Sequence, residues 1–492
     1  MSNMTPNIKI GIIQNAPLTA DLSLNLRQIV QGYRECLDHG ADIIIATAYS
    51  LCGAGLRDLA DRTSFLQQTE AALDALSQEL GSTPLILGAY APLPGLFPTD
   101  YDDDEEDAPA EAHQHGILVP YLMENDSVTE LENGETVDIN GVSVYIDVND
   151  EEVVIDDMEP NLIVHLATKS WHANAAKEDE ANRQWEANTN GVPVICVRHV
   201  GTANGSIYGG GSGIYLPGKK THARLPFFEP AAQSIALCAA GKAKALPQDE
   251  ELLAQALERG IRDTVLHNGY VGACIMLDEP QSCLLAALCA EALGAANVHG
   301  VTFNNNTTCA DILNIKVKSI NIDNITKELA YTADLAAHDV LSARLKTTVM
   351  TTYADQHGLM PLSAITRHDL MMNSFVLYGN TGGYLAPLGN MYEMDTYLLS
   401  RYFSEKYAAL FGTLKEPAHP EQDRIIHELA DNNISAGALL HDYVCPFKEE
   451  DIRMVQRRII ASAQKRTQTP AVLYVDKESE RKEYPTHHRL ND

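Results

Sequence analysis

The stretch KIGIIQNAPLTADLSLNLRQIVQGYRECLDHGADIIIA, residues 9–46, decides the fold. Lys9 to Gln14 is a short apolar run. Leu22 to His39 follows with helical spacing, because Leu26, Ile29, Val30, Tyr33 and Cys36 fall on one face. Asp42 to Ala46 is apolar again and reads as a buried strand. The alternation continues with a helix over Leu66 to Leu80 and a third strand over Pro84 to Tyr90. Strands separated by helices predict an α/β sandwich.

The pattern extends outward from this seed. Val137 to Ile146 reads as a hairpin around Asn140-Gly141. Apolar strands at Leu162–Leu166 and Val192–Val197 bracket a polar helix over His172 to Thr189. Ile214–Leu216 and Ser234–Leu237 close a first domain, predicted at 1–245. A linker-like stretch, AGKAKALPQDE (240–250), leads into a second domain, predicted at 246–492. That domain begins with a helix over Glu251 to Asn268, a strand over Gly272 to Leu277, an apolar helix over Pro280 to Leu293 and a strand over Val298 to Phe303. Helices dominate from Ile325 to His357 and from Asp395 to Phe411. The tail from Lys465 is polar and charged and reads as an arm, 465–492. Residues 97–115 hold six consecutive acids, Asp102 to Asp107, which repel one another and read as a solvated loop.

Composition narrows the function classes. A 492-residue chain that is 45% hydrophobic is not disordered. A net charge of −31 repels nucleic acid backbones and anionic lipid surfaces. No apolar run of about 18 residues offers a membrane span, and the start lacks a basic, then apolar, export signal. Nine cysteines without a CxxC pair fit a reducing compartment, so a cytoplasmic location is expected.

Several local sequences resemble the glutamine-dependent NAD(+) synthetases, which join a nitrilase-like glutaminase domain to an ATP-using synthetase domain. In the first half these are KIGIIQNAPLTADLSLNLRQI, GADIII and LPFFEPAAQSIAL. In the second they are VLSARLKTTVMTTYADQHG (340–358), LYGNTGGYLAPLGNMYEMDTYLLSRYF (377–403) and the tail QKRTQTPAVLYVDKESERKEYP. The resemblance implies an N-terminal nitrilase-like α-β-β-α sandwich. It implies a C-terminal parallel-sheet domain of the adenine-nucleotide α-hydrolase-like (ATP pyrophosphatase) kind.

The chemistry-bearing positions depart from the family pattern. Nitrilase-type glutaminases use a Cys nucleophile, a Glu base and a Lys that stabilises developing charge. The resemblance places Ala48 at the Glu position, Met123 at the Lys position and Asn149 at the Cys position. No Glu occurs between Glu35 and Glu70, no Lys between Lys9 and Lys169, and no Cys between Cys52 and Cys196. Cys52 and Cys196 read as small apolar core residues.

In the second domain the family's S-G-G-x-D-S loop becomes Leu277-Asp278-Glu279-Pro280-Gln281-Ser282, with no Gly from 273 to 293. Glycines there let backbone N–H groups approach a pyrophosphate. Asp278 and Glu279 instead bring negative charge, and Asp278 to Pro280 read as a helix cap. The family's G-T-x-N-K-S-E becomes Ser363-Ala364-Ile365-Thr366-Arg367-His368-Asp369, and its D-L-Y-K becomes Asn390-Met391-Tyr392-Glu393. Arg344 and Arg367 are expected to remain as nucleotide contacts, and Asp369 as a metal oxygen, if ATP and Mg²⁺ are still bound.

The expectation is therefore a non-catalytic paralogue that keeps the scaffold and forms homo-oligomers, or partners an intact relative. The competing expectation is an active synthetase that amidates nicotinate adenine dinucleotide with glutamine or ammonia, or an enzyme of altered chemistry.

Overall fold

A computed structural model describes residues 6–93, 115–148, 150–155, 160–241, 243–278, 281–336, 338–412, 414–441 and 445–476. Of the acidic stretch 97–115 only His115 is among them, and of the arm 465–492 residues 477–492 lie outside. The chain divides into two compact units, 1–204 with 208–247, and 205–207 with 248–492.

The first unit holds two six-stranded sheets. In one, strands Lys9–Gln14, Ile43–Ala46 and Leu85–Pro92 run parallel, and Ala231–Ala236 and Gly116–Glu124 flank them antiparallel. In the other, Val142–Asp147, Leu162–Leu166 and Val194–Val197 run parallel. Strand alternation explains the layering. Ile10, Ile12, Ile43 and Ile45 face Val144, Ile146, Val164 and Ile195 of the second sheet. Their neighbours Ile13 and Ile44 face the helices Leu22–Asp38 and Thr63–Ser77, through Ile29, Tyr33 and Leu73. On the far side, Ile163, Val194 and Cys196 pack on helix Ala175–Asn190. The result is the α-β-β-α sandwich. The hairpin turns on Asn140 (φ 52°) and Gly141 (φ 80°), both in the left-handed region that a tight two-residue turn requires.

The second unit is built on a fully parallel sheet. Its strand order is Lys316–Ser319, Val298–Thr302, Gly272–Met276, Leu359–Leu362, Leu385–Ala386, Ala471–Val472. The order reverses at Gly272–Met276, the first strand of this sheet in chain order. Ligands of such sheets bind at the carboxyl ends of the strands beside that reversal. Helix Ser282–Leu293 is apolar on nearly all sides because it is buried among its neighbours. Two features differ from the sequence reading. Leu359–Leu362 and the two-residue strands are too short for a periodic signal. Lys465 and Arg466 end helix Glu449–Arg466 rather than opening an arm, and Ala471–Val472 adds the edge strand of the sheet. No helix among the described residues is long and apolar enough to cross a membrane.

Helix Asp249–His267 carries Glu258, whose carboxyl is pushed up to about 7, first by burial and then by the Glu291 charge. The folded state thus holds a proton that the unfolded chain releases near pH 4.5. This stability is fully present below pH 4.5 and is lost as pH rises through about 7. Glu258→Gln removes that dependence. Unfolding of the variant followed at pH 5 and pH 8 is expected to show a slope smaller by roughly 1–2 kcal/mol, discounted for partial exposure. An unchanged slope would place the titration elsewhere.

Candidate functional site

In the first unit, Ala48 follows strand Ile43–Ala46 and is fully buried between the sheets. The missing side chain of Gly88 makes this possible, because a Cβ there would lie 2.7 Å from the Cα of Ala48. Met123 is also fully buried, but in the opposite layer, among residues that face the helices. The structure therefore does not bring Ala48 and Met123 together. The residue after strand Ser127–Glu130 that does pack on the inter-sheet side with Ala48 is Leu131. Neither Met123 nor Leu131 supplies a Lys. Asn149 lies outside the described residues. Cys52 and Cys196 are buried in separate layers, and burial pushes both thiols up to about 11. Neither is poised as a nucleophile.

The neighbouring Asp150 organises what remains. Its carboxylate accepts the backbone N–H groups of Thr168 and Lys169, each at 2.6 Å, and stands 4.0 Å from Arg198. Burial opposes its charge, but Arg198 and these N–H groups outweigh that and hold the carboxyl below its ordinary value. Behind it, Arg183 donates to the Asp150 carbonyl (2.6 Å) and to Glu186 (2.7 Å), and Glu186 meets His165 at 2.8 Å. Arg198 also pairs with Asp179 at 3.1 Å.

These groups border a cavity of about 50 Å³ lined by Asp150, Lys169, Trp171, Arg198, His199 and Tyr208, among others. That volume suits a few waters or a very small ligand. Trp171 Nε1 and His199 Nε2 are buried there without a hydrogen-bond partner among the described residues. Burial brings His199 down to about 3, against the pull of Asp150, so its ring is neutral at pH 7. The pocket can bind polar groups, but no cysteine lines it. Trp171 and His199 carry no motif and were not legible in the sequence.

In the second unit, the carboxyl ends of Gly272–Met276 and Val298–Thr302 meet at Asp278. Its carboxylate accepts the Thr302 hydroxyl (2.8 Å) and the Phe303 N–H (3.0 and 3.1 Å), and pairs with Lys346 at 3.3 Å. The ammonium of Lys346 also sits 5.7 Å from the centre of the Phe303 ring. Leu277 is buried beside this group, and Ser282, the first residue of its helix, is fully buried. Gln281 stands just before that helix. Glu279 and Pro280 lie outside the described residues.

Across the reversal point, Thr366 caps helix Arg367–Met371, and the Asp369 carboxylate returns to the Thr366 N–H (3.1 Å) and hydroxyl (2.8 Å). Arg367 is buried and pairs with Asp431, which also binds the Tyr392 hydroxyl. His368 bonds Asp423 at 2.7 Å and faces Glu393 at 3.7 Å. Burial works against its charge, but Asp423 and Glu393 prevail and raise it. Asn390 accepts the N–H groups of Val475 and Asp476, at 2.9 and 3.0 Å. Arg344 donates to the Leu377 carbonyl at 3.2 Å. The positions expected to hold nucleotide and metal thus have protein partners. Asp369 closes a helix cap and Arg367 neutralises Asp431.

Residues 253–409 match the family model described as NAD synthase. The chain is 23% identical over 461 residues to the glutamine-dependent NAD(+) synthetase of Synechocystis sp., covering 81% of each. The crystal structure of a glutamine-dependent NAD(+) synthetase from Cytophaga hutchinsonii is similar with a TM-score of 0.81 at 11% identity, over 98% of each chain. The Acinetobacter baumannii glutamine-dependent NAD+ synthetase, in complex with ADP, is similar with a TM-score of 0.73 at 16% identity, again over 98% of each. Both likenesses establish the two-domain fold.

Proposed function

We propose that this chain, which belongs to the glutamine-dependent NAD(+) synthetase family, is a non-catalytic member with a structural, regulatory or oligomer-forming role. The Asp278 carboxylate carries this reading. It holds the Thr302 and Phe303 donors and the Lys346 charge where a nucleotide phosphate would need them. A phosphate about 5 Å away would be repelled by roughly 3 kcal/mol at an effective dielectric of about 20. In the first unit the absence of any Cys between Cys52 and Cys196 removes the thioester route. Self-association, or assembly with an intact relative, is the role this leaves to the retained scaffold. The names of the relatives and the match over 253–409 favour the competing reading, an active synthetase.

One assay separates the two. Purified chain is mixed with ATP, Mg²⁺, nicotinate adenine dinucleotide and either ammonia or glutamine. NAD(+) formation is expected to equal the blank; turnover that co-elutes with the protein through two columns would reverse the reading. A companion variant tests the anion argument directly. Asp278→Ser releases Lys346 and the Phe303 N–H, so pyrophosphate at millimolar concentration is expected to raise the thermal midpoint of the variant and not of the parent. A tenfold gain in affinity corresponds to about 1.4 kcal/mol. Equal shifts in both proteins would mean that Asp278 does not block the cradle.

A further inference from the structure

The three six-stranded sheets present six edge strands among the described residues. Most are closed to further pairing. Ala223–Arg224 and Ala471–Val472 are two residues long. Ser127–Glu130 ends on a charge, Glu135–Ile139 carries Glu135 and Asp138, and Lys316–Ser319 carries Lys316 and Lys318. Short length and charge keep a sheet edge from templating another strand. Ala231–Ala236, with the sequence AAQSIA, has neither protection. It spans six residues without a charge or a proline, and it lies at the edge beside Lys9–Gln14. Register shows which of its backbone groups are open. The Leu237 N–H bonds the Ile8 carbonyl, so by the two-residue period the groups of Ile235, Gln233 and Ala231 also face inward. The N–H and C=O groups of Ala232 and Ser234 point the other way, where no strand pairs with them among the described residues. Space beside the start of the strand is open too. A cavity of about 310 Å³ is lined by Pro230, Ala231 and Ala232 with Gln28 and Gln31 of helix Leu22–Asp38.

We propose that Ala231–Ala236 is a self-association edge, where a second copy of this chain adds its own Ala231–Ala236 antiparallel across a two-fold axis at Gln233. Ala232 and Ser234 then exchange N–H···O bonds with Ser234 and Ala232 of the copy, and the symmetric pair repeats the exchange. A two-fold contact needs only one patch that is complementary to itself, and an antiparallel strand edge is such a patch. Charge selects a second copy as the occupant. Two chains of net charge −31 repel one another over most of their surface, and this strand brings none of that charge to the contact. Gln233 pairs with Ile12 and is exposed, so the two Gln233 residues face each other at the axis as a non-hydrogen-bonded pair. The inference rests on the oligomer-forming role proposed above and gives that role a place on the first unit.

The test uses the full chain with Cys238→Ser, which removes the nearby exposed thiol. Gln233→Cys is added, and the protein is oxidised in dilute solution. Residues facing in a non-hydrogen-bonded antiparallel pair lie about 4.5 Å apart at Cα, within disulfide reach. The expected product is a covalent dimer that reductant reverses. Thr129→Cys, exposed on the charged edge Ser127–Glu130, is expected to give none under the same oxidation. Gln233→Lys sets two like charges face to face and is expected to raise the dimer dissociation constant about tenfold in sedimentation, with tryptophan fluorescence unchanged. A dimer that persists undiminished in Gln233→Lys, or equal cross-linking at positions 233 and 129, overturns this edge and leaves the oligomer-forming role standing. A strict monomer at every concentration overturns both.

Discussion

Arg183→Met lowers the stability of the first unit by roughly 3–5 kcal/mol, the cost of stranding a buried charge. Arg183 is 1% exposed and donates to Glu186 at 2.7 Å, to the Asp150 carbonyl at 2.6 Å and to the Glu151 carbonyl at 3.3 Å. Methionine fills the volume but answers none of these acceptors. Glu186, fully buried, keeps only His165 and the Val153 N–H. Arg183→Lys is expected to recover little, because one ammonium cannot reach three acceptors in the planar fan of a guanidinium. Both tryptophans, Trp171 and Trp185, belong to this unit, so their fluorescence during urea unfolding reads it alone. A loss under about 1 kcal/mol would show the network to be dispensable.

Met123→Lys is expected to cost a similar amount, on the order of 3–5 kcal/mol at neutral pH, with no gain of ammonia release from glutamine. Met123 is fully buried among Leu85, Leu87, Tyr121 and the helix residues, facing away from Ala48. A lysine there cannot serve chemistry between the sheets. Burial depresses its pKa, so the folded state binds fewer protons than the unfolded one. Stability of the variant therefore rises with pH toward the ordinary lysine value, and the deficit shrinks between about pH 6 and pH 10. Leu131→Lys is the contrast. That position is only partly buried, and a lysine stem can carry its ammonium to water. Its cost is expected to stay below about 1.5 kcal/mol. Equal losses at the two positions would refute the assigned faces.

The same pair of residues marks how far the sequence could be read. Helices were legible from the 3.6-residue apolar spacing, and strands such as Lys9–Gln14 or Leu162–Leu166 from continuous apolar runs bounded by polar or turn residues. The two-residue strands Leu385–Ala386 and Ala471–Val472 have no such run, and they form only because neighbouring strands offer paired backbone groups. Assigning Met123 required a register. A one-residue slip in a strand moves every side chain to the other face, so an alignment cannot decide it without the partner strand.

By itself the sequence determined the two-domain α/β plan and that no glutamate lies between Glu35 and Glu70, no lysine between Lys9 and Lys169 and no cysteine between Cys52 and Cys196, because these are facts of residue order and spacing. It also determined that no glycine follows strand Gly272–Met276 until Gly294. The tertiary structure alone decided what the substituted residues do. Arg367 turned inward to Asp431, Asp369 closed its own helix cap, and Asp278 joined Thr302, Phe303 and Lys346. The outcomes for Arg367 and Asp278 depend on where a buried charge finds its partner. For Arg367 and Lys346 that partner lies more than sixty positions away in the chain, beyond the reach of any local pattern.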